Sequence, residues 1–228
     1  MKASYVITIL LLTLMVNSCT LDNYDAPNAV FTGSVIDVDT QDKIPQDIIY
    51  GSKITFTELG YENPEQQTLN FKSDGSFENA QMFSGTYLIS TIRSNFAKLP
   101  EEQVEIKGST EYHFKTKPYI RIKEVNIVKN TDGSKIIATF KLQQVASNPV
   151  KSVALLTDRN PNVSMGIRKQ TKELLVNSVV NPAQIFTVEM ETGSLEKGED
   201  YYFRIAALIS EIPEATHNYS TTVVRIKI

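Results

Sequence analysis

A single cysteine, Cys19, stands in a chain of 228 residues and has no second thiol to pair with. That excludes an internal disulfide or a multi-thiolate metal site, and whatever folds must hold by its core alone. Tryptophan is absent, so the usual first choice for a flat sugar-stacking platform is missing and only tyrosine and phenylalanine remain. There are two histidines, His113 and His217, in no His-x-x-Glu or His-Glu-x-x-His spacing, and zinc finds no recognisable ligand set. The formal net charge is −3 with both signs interspersed, which offers no basic footprint for nucleic acid. Serines are plentiful, yet none sits in a Gly-x-Ser-x-Gly elbow. Paired carboxylates for glycoside hydrolysis would be set by the fold and leave no mark in a sequence. Two small sandwiches offer little room for a deep cleft, and the chain is expected not to be an enzyme and to need no cofactor.

Long apolar runs are also missing. The longest, 5–16, has about a dozen residues where a permanent membrane helix needs about 20, but it suits a signal-peptide core. Lys2 precedes it and Val16-Asn17-Ser18-Cys19 follows. A cysteine directly after small residues resembles the lipobox of bacterial lipoproteins. The resemblance implies removal of residues 1–18 and acylation of Cys19, whose several chains would anchor the protein stably in outer-membrane lipid. Residues 19–28 then read as the lipidated cysteine and a tether, reaching about 30 Å at most when fully extended. Asp22 and Asp25, soon after the cysteine, resemble the surface-export signal of Bacteroidetes lipoproteins and imply an anchor facing the cell exterior.

From Val30 onward, apolar residues alternate with polar ones, the period of half-buried strands. Strands are expected over 31–38, 53–58, 67–71, 86–92, 103–106 and 111–116. Asp74-Gly75 supplies the positive φ of a tight hairpin, and Ser84-Gly85 a second corner. Ile54, Phe56, Tyr112 and Phe114 point to a common inter-sheet core. Gly33-Ser34-Val35-Ile36-Asp37, Ile54-Thr55-Phe56 and Asp74-Gly75-Ser76-Phe77 with Gly85-Thr86-Tyr87 resemble transthyretin-like and carboxypeptidase-regulatory-like β-sandwiches, over residues 29–117.

Pro118 pushes its predecessor to an extended conformation, and alternation restarts with Tyr119-Ile120-Arg121-Ile122. A second sandwich is expected over 118–228, with strands at 120–128, 135–143, 150–157, 185–191, 201–208 and 221–228. Leu195, Gly198 and Tyr201, leading into Tyr202-Phe203-Arg204-Ile205, resemble the tyrosine corner of fibronectin type III and other immunoglobulin-like domains. Segment 158–182 shows neither period: Asn160-Pro161-Asn162 makes a turn, 168–180 reads either as a short helix or as a long strand and loop, and a loop containing a helical turn is preferred there. The fold class is therefore all-β: two consecutive β-sandwiches, the first transthyretin-like, the second immunoglobulin/fibronectin-III-like.

Among candidate sites, Asp37, Asp39 and Asp42 could offer oxygens to calcium, but no glycine or bidentate glutamate completes a known loop, and a solvated turn is expected. Sugar binding would draw on aromatics outside the strand faces. Tyr24, Tyr50, Tyr61, Tyr219 and Phe96 qualify, and Tyr61, Arg93, Phe96 and Tyr219 are the selected ligand-binding candidates. No metal site is expected.

The lipobox, the tether Leu21-Asp22-Asn23-Tyr24-Asp25-Ala26-Pro27-Asn28-Ala29, the strand with Gly33 and Asp37, and the join Pro118-Tyr119-Ile120-Arg121-Ile122 resemble one family over nearly the whole chain. It is the two-domain Bacteroidetes lipoprotein family built on domain of unknown function 3823, encoded beside SusC-like and SusD-like partners. The resemblance implies a non-catalytic role in glycan capture at the outer membrane, with a glycan or the SusC/SusD-like proteins as partners. A structural, fimbrial-type subunit is the first alternative, although no arginine precedes Arg93 for the processing such subunits undergo, and a glycan-active enzyme is the second.

Overall fold

The structure, a computed structural model, describes residues 25–228. The expected signal peptide over 1–18, Cys19 and Tyr24 lie outside the described residues. Fifteen strands and no helix occur among those described.

The first domain comprises β1 (Ala29–Asp37), β2 (Lys53–Glu58), β3 (Gln66–Asn70), β4 (Ser76–Met82), β5 (Gly85–Ile92), β6 (Glu102–Ile106) and β7 (Ser109–Thr116). They form a three-stranded sheet ordered β4-β1-β7 and a four-stranded sheet ordered β3-β2-β5-β6. Strands β1 and β7 run parallel, and the other pairings are antiparallel. Phe31, Phe77 and Phe114 from one sheet meet Ile54, Phe56 and Ile89 from the other in a single core. Its aromatic rings pack tilted or edge-on, as between Phe71 and Phe114 with centroids 6.0 Å apart, the arrangement that suits their quadrupoles.

The second domain comprises β8 (Ile120–Lys129), β9 (Lys135–Gln144), β10 (Val150–Asp158), β11 (Gln170–Ser178), β12 (Ile185–Glu191), β13 (Asp200–Ile209), β14 (Asn218–Tyr219) and β15 (Val224–Lys227). One sheet is ordered β12-β9-β8; the other is β11-β10-β13, with β14 and β15 pairing with different parts of β13. Odd-numbered residues of β13, Tyr201 to Ala207, enter the core between the sheets with Phe140 and Phe186. Tyr201 is fully buried, and its hydroxyl accepts a hydrogen bond from the Glu196 amide at 3.3 Å, the contact expected of a tyrosine corner.

Three local expectations are corrected. Segment 158–182 contains no helical turn: residues 170–178 form β11, an edge strand paired with β10. Its alternation is lost because it packs weakly on either face, leaving Leu174 and Leu175 exposed. Residues 76–82 form β4, likewise a polar edge. Asp74-Gly75 is a turn with Gly75 at φ 86°, but it links strands of different sheets rather than a hairpin. A Cβ on Gly75 would lie 2.3 Å from the Ile44 carbonyl oxygen. Finally, the expected strand 221–228 is shortened: β15 begins only at Val224, and 221–223 run along the domain junction.

Candidate functional site

The junction is built from groups that sequence patterning treats as surface. Asp37 ends β1, and Arg121 is the second residue of β8. Arg121 Nε donates to Asp37 Oδ2 at 2.5 Å, and Nη2 donates to Asp37 Oδ1 at 2.8 Å and to Asp39 Oδ2 at 2.6 Å. Lys117 reaches the other oxygen of Asp39 at 2.9 Å. Burial pushes the Asp37 carboxyl up, but the hydrogen bonds from Arg121 and the Asp39 amide, with the Arg121 charge, hold it below the ordinary value. The expected solvated turn at Asp37, Asp39 and Asp42 is therefore corrected. Two of the three aspartates clamp an arginine of the other domain in the bidentate geometry that favours arginine over lysine.

A second node lies beneath the loop joining β1 to β2. Asp47 Oδ1 accepts from the amides of Ile49 and Tyr50 at 2.8 and 3.0 Å, and Oδ2 accepts from the Gly166 amide at 2.8 Å and the Tyr219 hydroxyl at 3.1 Å. Glycine is required at 166, since a Cβ there would lie 2.7 Å from both Asp47 Oδ1 and Ile49 Cβ. Arg204 projects from the face of β13 opposite the main core and lies over the Tyr219 ring, 5.0 Å from its centroid. Burial pulls its guanidinium down to about 10, with Tyr219 and the charge of Asp47 acting the other way. Asn95 donates to the carbonyls of Pro45 and His217 at 2.9 and 3.0 Å, and Asn218 donates back to the Asn95 carbonyl at 2.7 Å. Asp37 with Arg121, Asp47 with Gly166 and Tyr219, and Asn95 with His217 and Asn218 each join the two domains. Such satisfied networks fix one relative placement.

Along this seam runs a groove. One hollow of about 210 Å³ is lined by Thr40, Asp42, Lys43, Lys123, Glu124 and Thr222, among others. A second of about 300 Å³ is lined by Ser73, Asp74, Pro161, Arg204 and Val223, and both hollows share Asp42, Lys43, Pro45 and Thr221. Lys43 Nζ donates to Asp74 Oδ2 at 2.9 Å. Burial raises Asp74, but hydrogen bonds from Ser76 and Lys43 and the Lys43 charge outweigh it and bring the carboxyl to about 2. The groove thus presents hydroxyls, carboxylates and ammonium groups, donors and acceptors suited to a polyhydroxylated ligand, with apolar surface from Pro45, Pro161 and Val223.

The four selected residues fall apart from one another. Phe96 is wholly buried in the first-domain core. Tyr219 is 5% exposed, with its ring under Arg204 and its hydroxyl on Asp47. Neither has a face to offer a sugar: Phe96 is enclosed by its own domain, and Tyr219 by its contacts at the junction. Arg93, at φ 49°, is exposed beside a different hollow that includes Lys98 and Glu214. Its corner serves docking: Ser94 bridges to Ala215 and Phe96 to Pro118. Tyr61 is 65% exposed, in the loop after β2 at the far end of the first domain. Only Tyr219 lines the groove. Sequence reasoning missed Asp47, Asn95, Arg121, Arg204 and Asn218, and the sole hint was the cluster of aspartates around residue 39. Among the described residues no group of three histidine, cysteine, aspartate or glutamate side chains converges as metal ligands.

Fold and junction together define a two-domain, all-β module in which two sheet pairs are locked by a buried polar interface. The chain belongs to the DUF3823 family. The model described as "Protein of unknown function (DUF3823) N-terminal domain" matches residues 29–117, and that described as "Domain of unknown function (DUF3823_C)" matches residues 120–224. Among solved structures, a candidate carbohydrate binding protein from Bacteroides uniformis is 29% identical with a TM-score of 0.79, covering 89% of this chain and 100% of its own. A DUF3823 family protein from Parabacteroides merdae is 20% identical with a TM-score of 0.74 at the same coverages. Another from Bacteroides ovatus is 20% identical with a TM-score of 0.70, covering 87% of this chain and 98% of its own. A search of curated proteins finds no match.

Proposed function

We propose that this chain is a non-catalytic lipoprotein of the outer membrane, anchored through Cys19 and facing the cell exterior, that captures glycans for uptake. The glycan contacts the seam between the domains, and SusC-like and SusD-like proteins receive it. The observation that carries this reading is the groove itself: a continuous, polar-lined depression on a junction held rigid from beneath. The structural similarity to a Bacteroides uniformis candidate carbohydrate binding protein supports the same class of ligand. A tether of about 30 Å at most would keep the groove close to the membrane and its receiving partners.

At Asp74, a binding role also agrees better with the groove than proton donation to a glycosidic bond does. A general acid must hold a proton near the working pH, and Asp74, brought to about 2, holds none.

Gel retardation of the detergent-solubilised full chain against a panel of soluble polysaccharides tests direct capture. At least one polysaccharide should slow the protein, and a double Lys43→Ala, Thr222→Ala variant should weaken that effect about tenfold, the loss expected for one or two hydrogen bonds. A flat response across the panel contradicts direct capture. The anchor is tested separately: Cys19→Ala should move the protein from the membrane to the soluble fraction, and retention there contradicts lipidation at Cys19.

A further inference from the structure

Arg204 holds a full positive charge in the interior without a contacting counter-ion. It is 3% exposed. Its Nε donates to the Ser220 carbonyl at 2.9 Å, but Nη1 and Nη2 reach the carbonyls of Val163 and Ser73 only at 3.4 Å, near the outer limit of a hydrogen bond. A guanidinium carries five N–H groups, so two are left without an acceptor among the described residues. No carboxylate there forms an ion pair with it. Asp47 acts on Arg204 through charge alone, because its two oxygens already accept from Ile49, Tyr50, Gly166 and Tyr219. A buried charge so placed is costly unless something completes it.

What borders Arg204 on the open side is the second hollow of the groove, about 300 Å³. That volume is at the small end for ligand sites and suits one sugar ring rather than a run of them. Pro161 and Val223 give the hollow apolar surface, Ser73 and Thr221 give hydroxyls, and Lys43 stands at its rim paired with Asp74. Asp42 at the rim is the one charge there that opposes an anion without a cation paired to it. Resting on the glycan-capture reading above, we infer that this hollow takes a sugar bearing a carboxylate, a uronic acid residue, with Arg204 as its anion-binding group. The planar fork of Arg204 meets the carboxylate, and the ring lies against Pro161 and Val223. A carboxylate suits the guanidinium because two parallel N–H groups meet two oxygens in one plane.

The test titrates the detergent-solubilised full chain with sodium glucuronate, with glucose, and with sodium acetate as competitor, read by calorimetry. Glucuronate should bind about tenfold or more tightly than glucose, the discrimination of a charge-assisted pair. Acetate at the same concentration should compete poorly. Thr221→Trp, on the exposed lip, should close the hollow and abolish glucuronate binding while leaving the bonds of Arg204 intact. Arg204→Lys, which keeps the charge and loses the fork, should weaken binding wherever thermal melting shows it folded. Equal affinity for glucuronate and glucose overturns the inference, as does unchanged binding in Thr221→Trp. Competition by acetate as strong as by glucuronate overturns the sugar and leaves a simple anion site. Retardation by neutral polysaccharides without preference for glucuronate removes the acid while the glycan-capture reading stands; no retardation and no glucuronate binding removes both.

Discussion

Arg121 and Asp37 stand 84 residues apart in sequence and share two hydrogen bonds in the interior. Arg121→Met leaves the Asp37 carboxylate buried without its cation, which should cost about 3–5 kcal/mol in urea unfolding. The pH dependence follows from the same contacts. Asp37 and Asp39 lie below their ordinary value of 3.8 when folded, and Asp74 lies at about 2. Depressed carboxyls stabilise the fold above the unfolded value and lose that stabilisation as pH falls through the folded one. The stabilisation from these carboxyls should therefore be level between about pH 7 and 5 and fall from about pH 4 toward 2, while His217, held below its ordinary value by burial, adds a separate loss as pH falls below about 6.5. Arg121→Met should show a shallower fall, because Asp37 then lacks the contact that depresses it; an unchanged slope in the variant would contradict this account. At this scale the sequence was half legible. Three aspartates within six positions stood out, but the partner arrives from another domain, and no local pattern names it. Tyr219 and Phe96 depart from expectation because turn-rich surroundings suggest exposure: Tyr219 is covered at the domain junction, and Phe96 packs into the core of its own domain.

Strands buried on one face could be read from alternation, and that is where expectation and structure agree best, at 135–143 and 185–191. Two edge strands escaped. β4 and β11 are edges with little to bury, so nothing forces their polar and apolar residues into register. β10 and β13 are buried on both faces, with Leu155 and Ile205 toward the main core and Leu156 and Ala206 toward the smaller cluster beneath the first domain. The paired leucines and alanines of those strands are the trace of that second covering. Leu155→Ala should cost about 2–5 kcal/mol, a cavity in a closed core. Leu175→Ala, on β11 and 65% exposed, should stay within about 0.5 kcal/mol of the parent. Comparable losses from the two substitutions, measured by urea unfolding, would contradict this assignment of the buried faces.

For the molecule as a whole, two folding units were legible from the restart of alternation after Pro118, but not the manner of their joining. Asp47, Asn95, Arg121, Arg204 and Asn218 make the junction a polar interior rather than a hinge, and the groove follows from it, because two convex sandwiches held at a fixed angle leave a furrow between them. Segments 40–44 and 221–223 line that furrow. They are connections, whose sequences carry turn formers and no period, so a site made of them has no signature before the domains are docked. Under the proposed function, this seam is where a glycan is held. Hydrogen exchange of the full chain, with and without the polysaccharide that most retards it in gels, tests that directly. Slowed exchange should concentrate in 40–44 and 221–223. Slowed exchange confined to the loop around Tyr61, with those two segments unchanged, would contradict it.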